Sequence, residues 1–240
     1  MAKNILTRVL QTLVVLIGVA FLIFVMLRIV PGNAVTTMMG EHVNAEAVER
    51  MTRELGLDQP VPVQFWRYLT GALRGDFGTS YSLNRSVSEL IAAAFPNTVR
   101  LALAAAAVAW VVGILCGIIA AVKKNGLLDH LFMGFSLLGV SMPVFMAAMV
   151  LQYLLAYKLK LFPISGVSSW KGYVLPAIAR GWNSAGSVAR LTRSTLVEVL
   201  QEDYIDTARA KGRRQLGVIA VHALRNALLP VVTMMAVQLS

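Results

Sequence analysis

The chain has 240 residues, of which 57% are hydrophobic and only 14% charged, and its mean hydropathy is +0.68. A soluble domain carries about 25% charged residues, so the composition excludes one and points to an integral membrane protein. The formal net charge of +10 comes from bases scattered over the flanks and loops of apolar segments, a pattern of cytoplasmic membrane flanks and not of one nucleic-acid-binding face.

Residues 9–30 form the first apolar run, long enough to span a bilayer and too long for a signal-peptide core. Arg28-Ile29-Val30-Pro31-Gly32 ends it without a small-residue cleavage site. It reads as a retained helix, with Lys3 and Arg8 holding the N-terminus in the cytoplasm. Residues 31–96 are polar and mixed in charge, with no spanning segment, and are expected outside the membrane. Within them, residues 46–55 have a helical cadence stopped by Gly56, Gln64-Phe65-Trp66-Arg67-Tyr68-Leu69 suits an amphipathic helix, and Gly75-Asp76-Phe77-Gly78 suits a turn.

The second span is expected over residues 97–122, closed by Lys123-Lys124-Asn125-Gly126 on the cytoplasmic side. Its single Cys116 excludes an intrachain disulfide and suits packing. The third, residues 131–157, is broken at Ser141-Met142-Pro143, which a span tolerates where neighbours satisfy the freed carbonyl. Residues 158–172 form a short outer loop; its lysines argue mildly against this orientation, and the denser inner bases outweigh them. The fourth span, residues 172–200, is the least apolar and must face protein or water. Arg180, Asn183, Ser184, Ser187, Arg190 and Ser194 form one polar stripe on it, beside a stripe of Ala177, Gly181, Ala185 and Ala189 that lets another helix approach. The polar stripe either satisfies itself against a paired subunit or lines a translocation path. In the second case Asn183, Ser184 and Ser187 line the path with Ser141 and Pro143, Arg180 lies near its outer mouth, and Arg190 and Arg193 serve as inner anchors. A fifth span opens at Leu228.

Between the fourth and fifth spans lies a polar elbow, Glu202 to Pro230. Its acids (Glu202, Asp203, Asp206) precede its bases (Arg209, Lys211, Arg213, Arg214), as a short helix favours. Tyr204, Ile205 and Ala208 give a narrow apolar face, Gly212 ends the helix, and a second pattern follows with Leu216, Ile219, Ala220 and Ala223 on one side. Read by pattern alone, this is an amphipathic cytoplasmic loop.

The residues resemble something more specific: the coupling loop of ABC-importer permeases, whose pattern is Glu-Ala-Ala, three residues, Gly, nine residues, Ile-x-Leu-Pro. Asp206-Thr207-Ala208 stand at Glu-Ala-Ala and Gly212 at the glycine, while His222, Leu224 and Arg225 depart from the end. The run His222-Ala223-Leu224-Arg225-Asn226 with Pro230 is similar to the variant of the dipeptide/oligopeptide/nickel permease family. Leu55-Gly56-Leu57-Asp58-Gln59-Pro60 and Gly75-Asp76-Phe77-Gly78-Thr79-Ser80, in this order, resemble the same family's extracytoplasmic segment; Ser86 stands where a proline is expected.

The resemblance implies an all-α polytopic bundle of the type I ABC-importer permease kind, with a largely helical extracytoplasmic insertion after the first helix. Residues 1–96 would hold the first helix and that insertion, and residues 97–240 the permease core, with the coupling loop at about 201–226. Family members continue through the fifth helix and a sixth, so a truncated C-terminus is expected. The implied setting is a bacterial inner membrane. The implied partners are a second related permease, two ABC ATPase subunits, an extracytoplasmic substrate-binding protein and membrane lipid, with no nucleic acid. Tyr204, Ile205, Asp206, Ala208 and Gly212 would couple to the ATPases, the apolar face docking in their groove. The expected substrates are di- or oligopeptides; nickel complexes, glutathione-like peptides and oligosaccharides stay open.

No phosphate-binding loop and no Cys or His cluster with metal spacing occurs in the sequence. The expectation is therefore a transporter subunit without its own ATPase site, cofactor or metal, with ATP and magnesium bound on partner subunits. Asp76-Phe77-Gly78 lacks a kinase's catalytic loop, and Gly139-Val140-Ser141 lacks the paired base of an intramembrane protease. Asn84-Arg85-Ser86 matches a glycosylation acceptor, a pattern common by chance. A stand-alone secondary transporter is the alternative. Arg180 and Arg190 would serve it, but it would need no coupling elbow.

Overall fold

A computed structural model describes residues 2–29, 45–54, 56–80 and 82–239. The Val30-Pro31-Gly32 end of the first span, His42 and Leu55 lie outside the described residues. The chain divides into two compact units, Met1–Ala94 and Phe95–Ser240.

In the first unit, α1 (Ala2–Ile29) is about 42 Å long at 1.5 Å per residue, and its stretch Ile5–Ile29 is apolar enough to cross a membrane. It is followed by α2 (Ala45–Glu54) and α3 (Val61–Leu73). Pro60 and Pro62 preset the backbone where α3 begins. Phe65 of α3 is buried, its ring set edge-on to Phe21 and Phe24 of α1 at 5.0 and 5.6 Å; this contact fastens the amphipathic helix to the span. Asp76 Oδ1 then accepts the Gly78 N–H at 2.9 Å and tightens the expected turn. Beyond it, β1 (Thr79–Ser80) and β2 (Arg85–Ser86) pair antiparallel, Thr79 opposite Ser86. Among the described residues this short hairpin is the one addition to an otherwise all-α architecture, and Asn84, at φ 48°, lies in its turn.

Continuous helix runs through Pro96 as α4 (Val87–Val122), starting ten residues before the expected span. It is followed by α5 (Leu127–Ser141), α6 (Val144–Lys158), α7 (Lys171–Val199), α8 (Asp203–Ala210) and α9 (Gln215–Leu239). The break expected at Ser141-Met142-Pro143 is present and sharp: α5 and α6 meet at 107°. The last helix begins at Gln215 and not at Leu228: the second helical pattern of the elbow and the fifth span run on as one helix, with a wide turn at Val218–Ala223 and Pro230 inside it.

In the second unit α7 is the central element. Its small-residue stripe is buried as expected, with Ala177, Gly181, Ala185 and Ala189 all inside. Facing it on α4, Ala105, Ala109, Gly113 and Gly117 form a matching buried stripe. A Cβ on Gly113 would lie 2.7 Å from Val188 Cβ, and one on Gly117 would lie 2.6 Å from the Ala189 carbonyl oxygen. The two backbones touch because neither glycine has a side chain. Against its other side α7 packs α5, through Trp182, Asn183 and Gly186.

Candidate functional site

The elbow is built on α8, whose helix is too short to hold together by propensity alone. Ile205 and Ala208 turn inward and join Ala121 of α4, Leu196 of α7 and Val218, Ala223 and Ala227 of α9 in one core. The expectation that this apolar face docks outward is thereby corrected. The reason lies in α4, α7 and α9, whose ends bring small side chains beneath α8 and leave a seat for Ile205, which is 0% exposed. The outward face carries Asp203, Asp206, Thr207, Arg209 and Ala210. Arg209 Nη1 donates to Asp206 Oδ1 at 2.7 Å, an exposed pair that contributes a few tenths of a kcal/mol. Tyr204 remains partly exposed, and its Oη accepts from Asn226 Nδ2 at 2.8 Å.

Gly212, at φ +76°, ends α8 in the left-handed turn expected of it. The apolar side of the next helix differs from expectation. Val218, Ile219 and Ala223 are buried, whereas Leu216 and Ala220 face out. The wide turn at Val218–Ala223 is the cause: a five-residue repeat puts Val218 and Ala223 on one side, where a regular helix would have put Leu216 and Ala220 there.

Of the path candidates, Ser141 and Pro143 lie exposed at the α5–α6 break. Pro143 has no N–H, so the Gly139 carbonyl loses its partner four residues on. Asn183 Nδ2 donates to that carbonyl at 2.9 Å. Trp182, its neighbour, donates from Nε1 to the Phe135 carbonyl at 3.2 Å and stacks on the Phe135 ring. Asn183 therefore spends its amide on the broken helix. Arg180 and Ser184 sit one turn apart and line a cavity of about 130 Å³ with α4 and the end of α9. Ser187 follows them, half-buried, and Arg190 is exposed.

One interaction goes beyond the sequence reading of Arg193 as an anchor. Its guanidinium donates from Nε and Nη2 to Asp129 Oδ1 and Oδ2, both at 2.6 Å. Asp129 is 2% exposed and also accepts the Asn125 N–H at 2.9 Å. This bidentate pair ties the α4–α5 turn to α7 near the elbow. Its only trace in the sequence is a lone acid opening an otherwise apolar helix. Among the described residues no group of His, Cys, Asp and Glu could hold a metal ion.

A bundle of span-length helices, one broken at proline, with a short polar helix seated on their ends, is the architecture of a multi-pass membrane protein. Residues 113–240 match the family described as binding-protein-dependent transport system inner membrane component, and residues 1–102 match its N-terminal part. The chain is 42% identical over 238 residues to the glutathione transport system permease protein GsiC of Salmonella paratyphi A, covering 99% of this chain and 78% of that one. It is 40% identical over 231 residues to GsiC of Pectobacterium atrosepticum (96% and 76% covered) and 39% identical over 238 residues to GsiC of Escherichia coli K12 (99% and 78%). The chain belongs to this family and is a permease subunit of a binding-protein-dependent ABC importer, of the peptide/nickel kind. Membership makes it an inner-membrane component that works with a binding protein and ATPase subunits.

Proposed function

We propose that this chain pairs with a second, related permease to form the translocation path of an ATP-driven importer of short peptides. The similarity to glutathione permeases supports a small peptide cargo. The N-terminus lies in the cytoplasm, and ATP with magnesium binds on the two ATPase subunits. Closure of those subunits pushes on the outward face of α8, and the shared core beneath it passes the push to α4, α7 and α9, rotating them between outward and inward access. The observation that carries this reading is that core. Ile205 and Ala208 are packed directly against the ends of three long helices, so α8 cannot move without them.

The test is reconstitution of the chain with its partner subunits in proteoliposomes, with uptake and substrate-stimulated ATP hydrolysis measured together. Dipeptides, longer peptides, glutathione and nickel complexes are the substrates to compare. The expected result is ATP-dependent uptake of a short peptide. Uptake driven by an ion gradient without the ATPases would instead support a stand-alone secondary transporter. ATP-dependent uptake of nickel complexes alone would overturn the peptide assignment.

A further inference from the structure

Arg180 lies nine residues into α7, about 13 Å along the helix from Lys171. By composition alone α7 is not among the helices apolar enough to cross a membrane; if it is the fourth span, as its place in the chain suggests, the exposed Arg180 guanidinium at that depth is costly unless a counter-charge or water meets it. Arg193 on the same helix has Asp129. Among the described residues Arg180 has no hydrogen bond and no ion pair. It opens into the cavity of about 130 Å³, where Ser184 and Gln238 supply a hydroxyl and an amide. Four alanines of α4 form the opposite wall, and among the described residues no acidic side chain lines the space. The cavity therefore offers one fixed positive charge, neutral donors beside it and small walls. A carboxylate fits this chemistry: it takes two parallel hydrogen bonds from a guanidinium, and hydroxyl and amide donors reach its remaining lone pairs.

We infer that Arg180, with Ser184 and Gln238, forms a carboxylate site that selects cargo by a free carboxylate, above all the α-carboxylate that ends a peptide. The inference rests on the short-peptide reading. Arg180 is the specificity residue, because its charge separates a carboxylate from an amide of the same shape. Ser184 and Gln238 are neutral, so the anion is held by one charge and released when the helices move.

The test uses the assembled transporter in proteoliposomes with its binding protein. The probes are one short peptide as the free acid and as the C-terminal amide, chosen so that the binding protein takes both equally. The unaltered transporter is expected to take up the acid at least roughly tenfold faster. Arg180→Gln should erase that preference by slowing the acid while leaving the amide unchanged, and Arg180→Lys should retain part of it. Equal slowing of both peptides by Arg180→Gln would show a structural role and overturn the site. Dissociation of the subunits in that variant would identify an ion pair to the second permease and overturn it as well. An undiminished preference would also overturn it, with the peptide reading intact. Uptake of neither form by the unaltered transporter would overturn the short-peptide reading and this site with it.

Discussion

Asp129 and Arg193 are 64 residues apart in sequence and share a bidentate ion pair, one partner almost fully buried. Removing one charge from such a pair costs more than removing both, because the survivor keeps its desolvation penalty without its partner. Asp129→Asn is expected to lower stability by about 3 kcal/mol, read as earlier thermal unfolding of the purified complex. Asp129→Leu combined with Arg193→Met should cost clearly less. If the double variant is the less stable, the pair does not carry the energetics assigned to it. No local pattern could have shown this contact. A helix-face argument sees partners three or four residues apart, and an ion pair between helices leaves each residue looking solitary. Gly212 was the opposite case, since a left-handed turn is a property of its own backbone.

The break between α5 and α6 shows what an element reveals and what it hides. Ser141-Met142-Pro143 announces the break, because proline removes a donor whatever surrounds it. Which group repairs the loss is not announced. Asn183 read as a path-lining amide because an amide facing water and one facing a carbonyl have the same sequence signature. Asn183→Leu should cost about 1–3 kcal/mol by stranding the Gly139 carbonyl. Pro143→Ala restores a backbone N–H to that turn, so Asn183→Leu should cost less in a Pro143→Ala background. A double-mutant cycle on unfolding stability measures the difference; strictly additive effects would mean the two residues do not share the carbonyl. The small-residue faces of α4 and α7 were half legible. The four-residue repeat on α7 stood out, while Gly113-x-x-x-Gly117 did not, lying in a run of Val, Leu and Ile that reads as a plain apolar span.

Across the second unit, composition and hydropathy were enough to assign a helical membrane bundle, and the elbow's residues were enough to assign the family. The direction of α8's apolar face was not readable, because an amphipathic stripe does not say whether its own chain or another covers it. The structure gives Ile205 and Ala208 to the chain's own core, which separates two kinds of defect. Ile205→Ala should destabilise the core by about 2–4 kcal/mol and lower the amount of assembled transporter. Thr207→Arg, on the exposed face, should leave the unfolding temperature unchanged and uncouple ATP hydrolysis from uptake. The combination of thermal unfolding with hydrolysis and uptake assays distinguishes them. A Thr207→Arg variant with normal coupling would move the ATPase contact to another face.

The crossing of α4 and α7 at Gly113 and Gly117 constrains how this protein can move. Side chains between two helices act as bearings: they change rotamer and let one cylinder roll over the other. Here the bare glycine backbone of α4 lies against carbonyl oxygens of α7 and the side chains of its Val188 and Thr192, both β-branched and stiff at χ1, so there is little to re-sort, and rolling would drive the α4 main chain into them. The two helices share one set of rigid-body coordinates. The freedom that the proposed alternating access needs would come from the joint where chain direction already changes sharply, at Met142-Pro143.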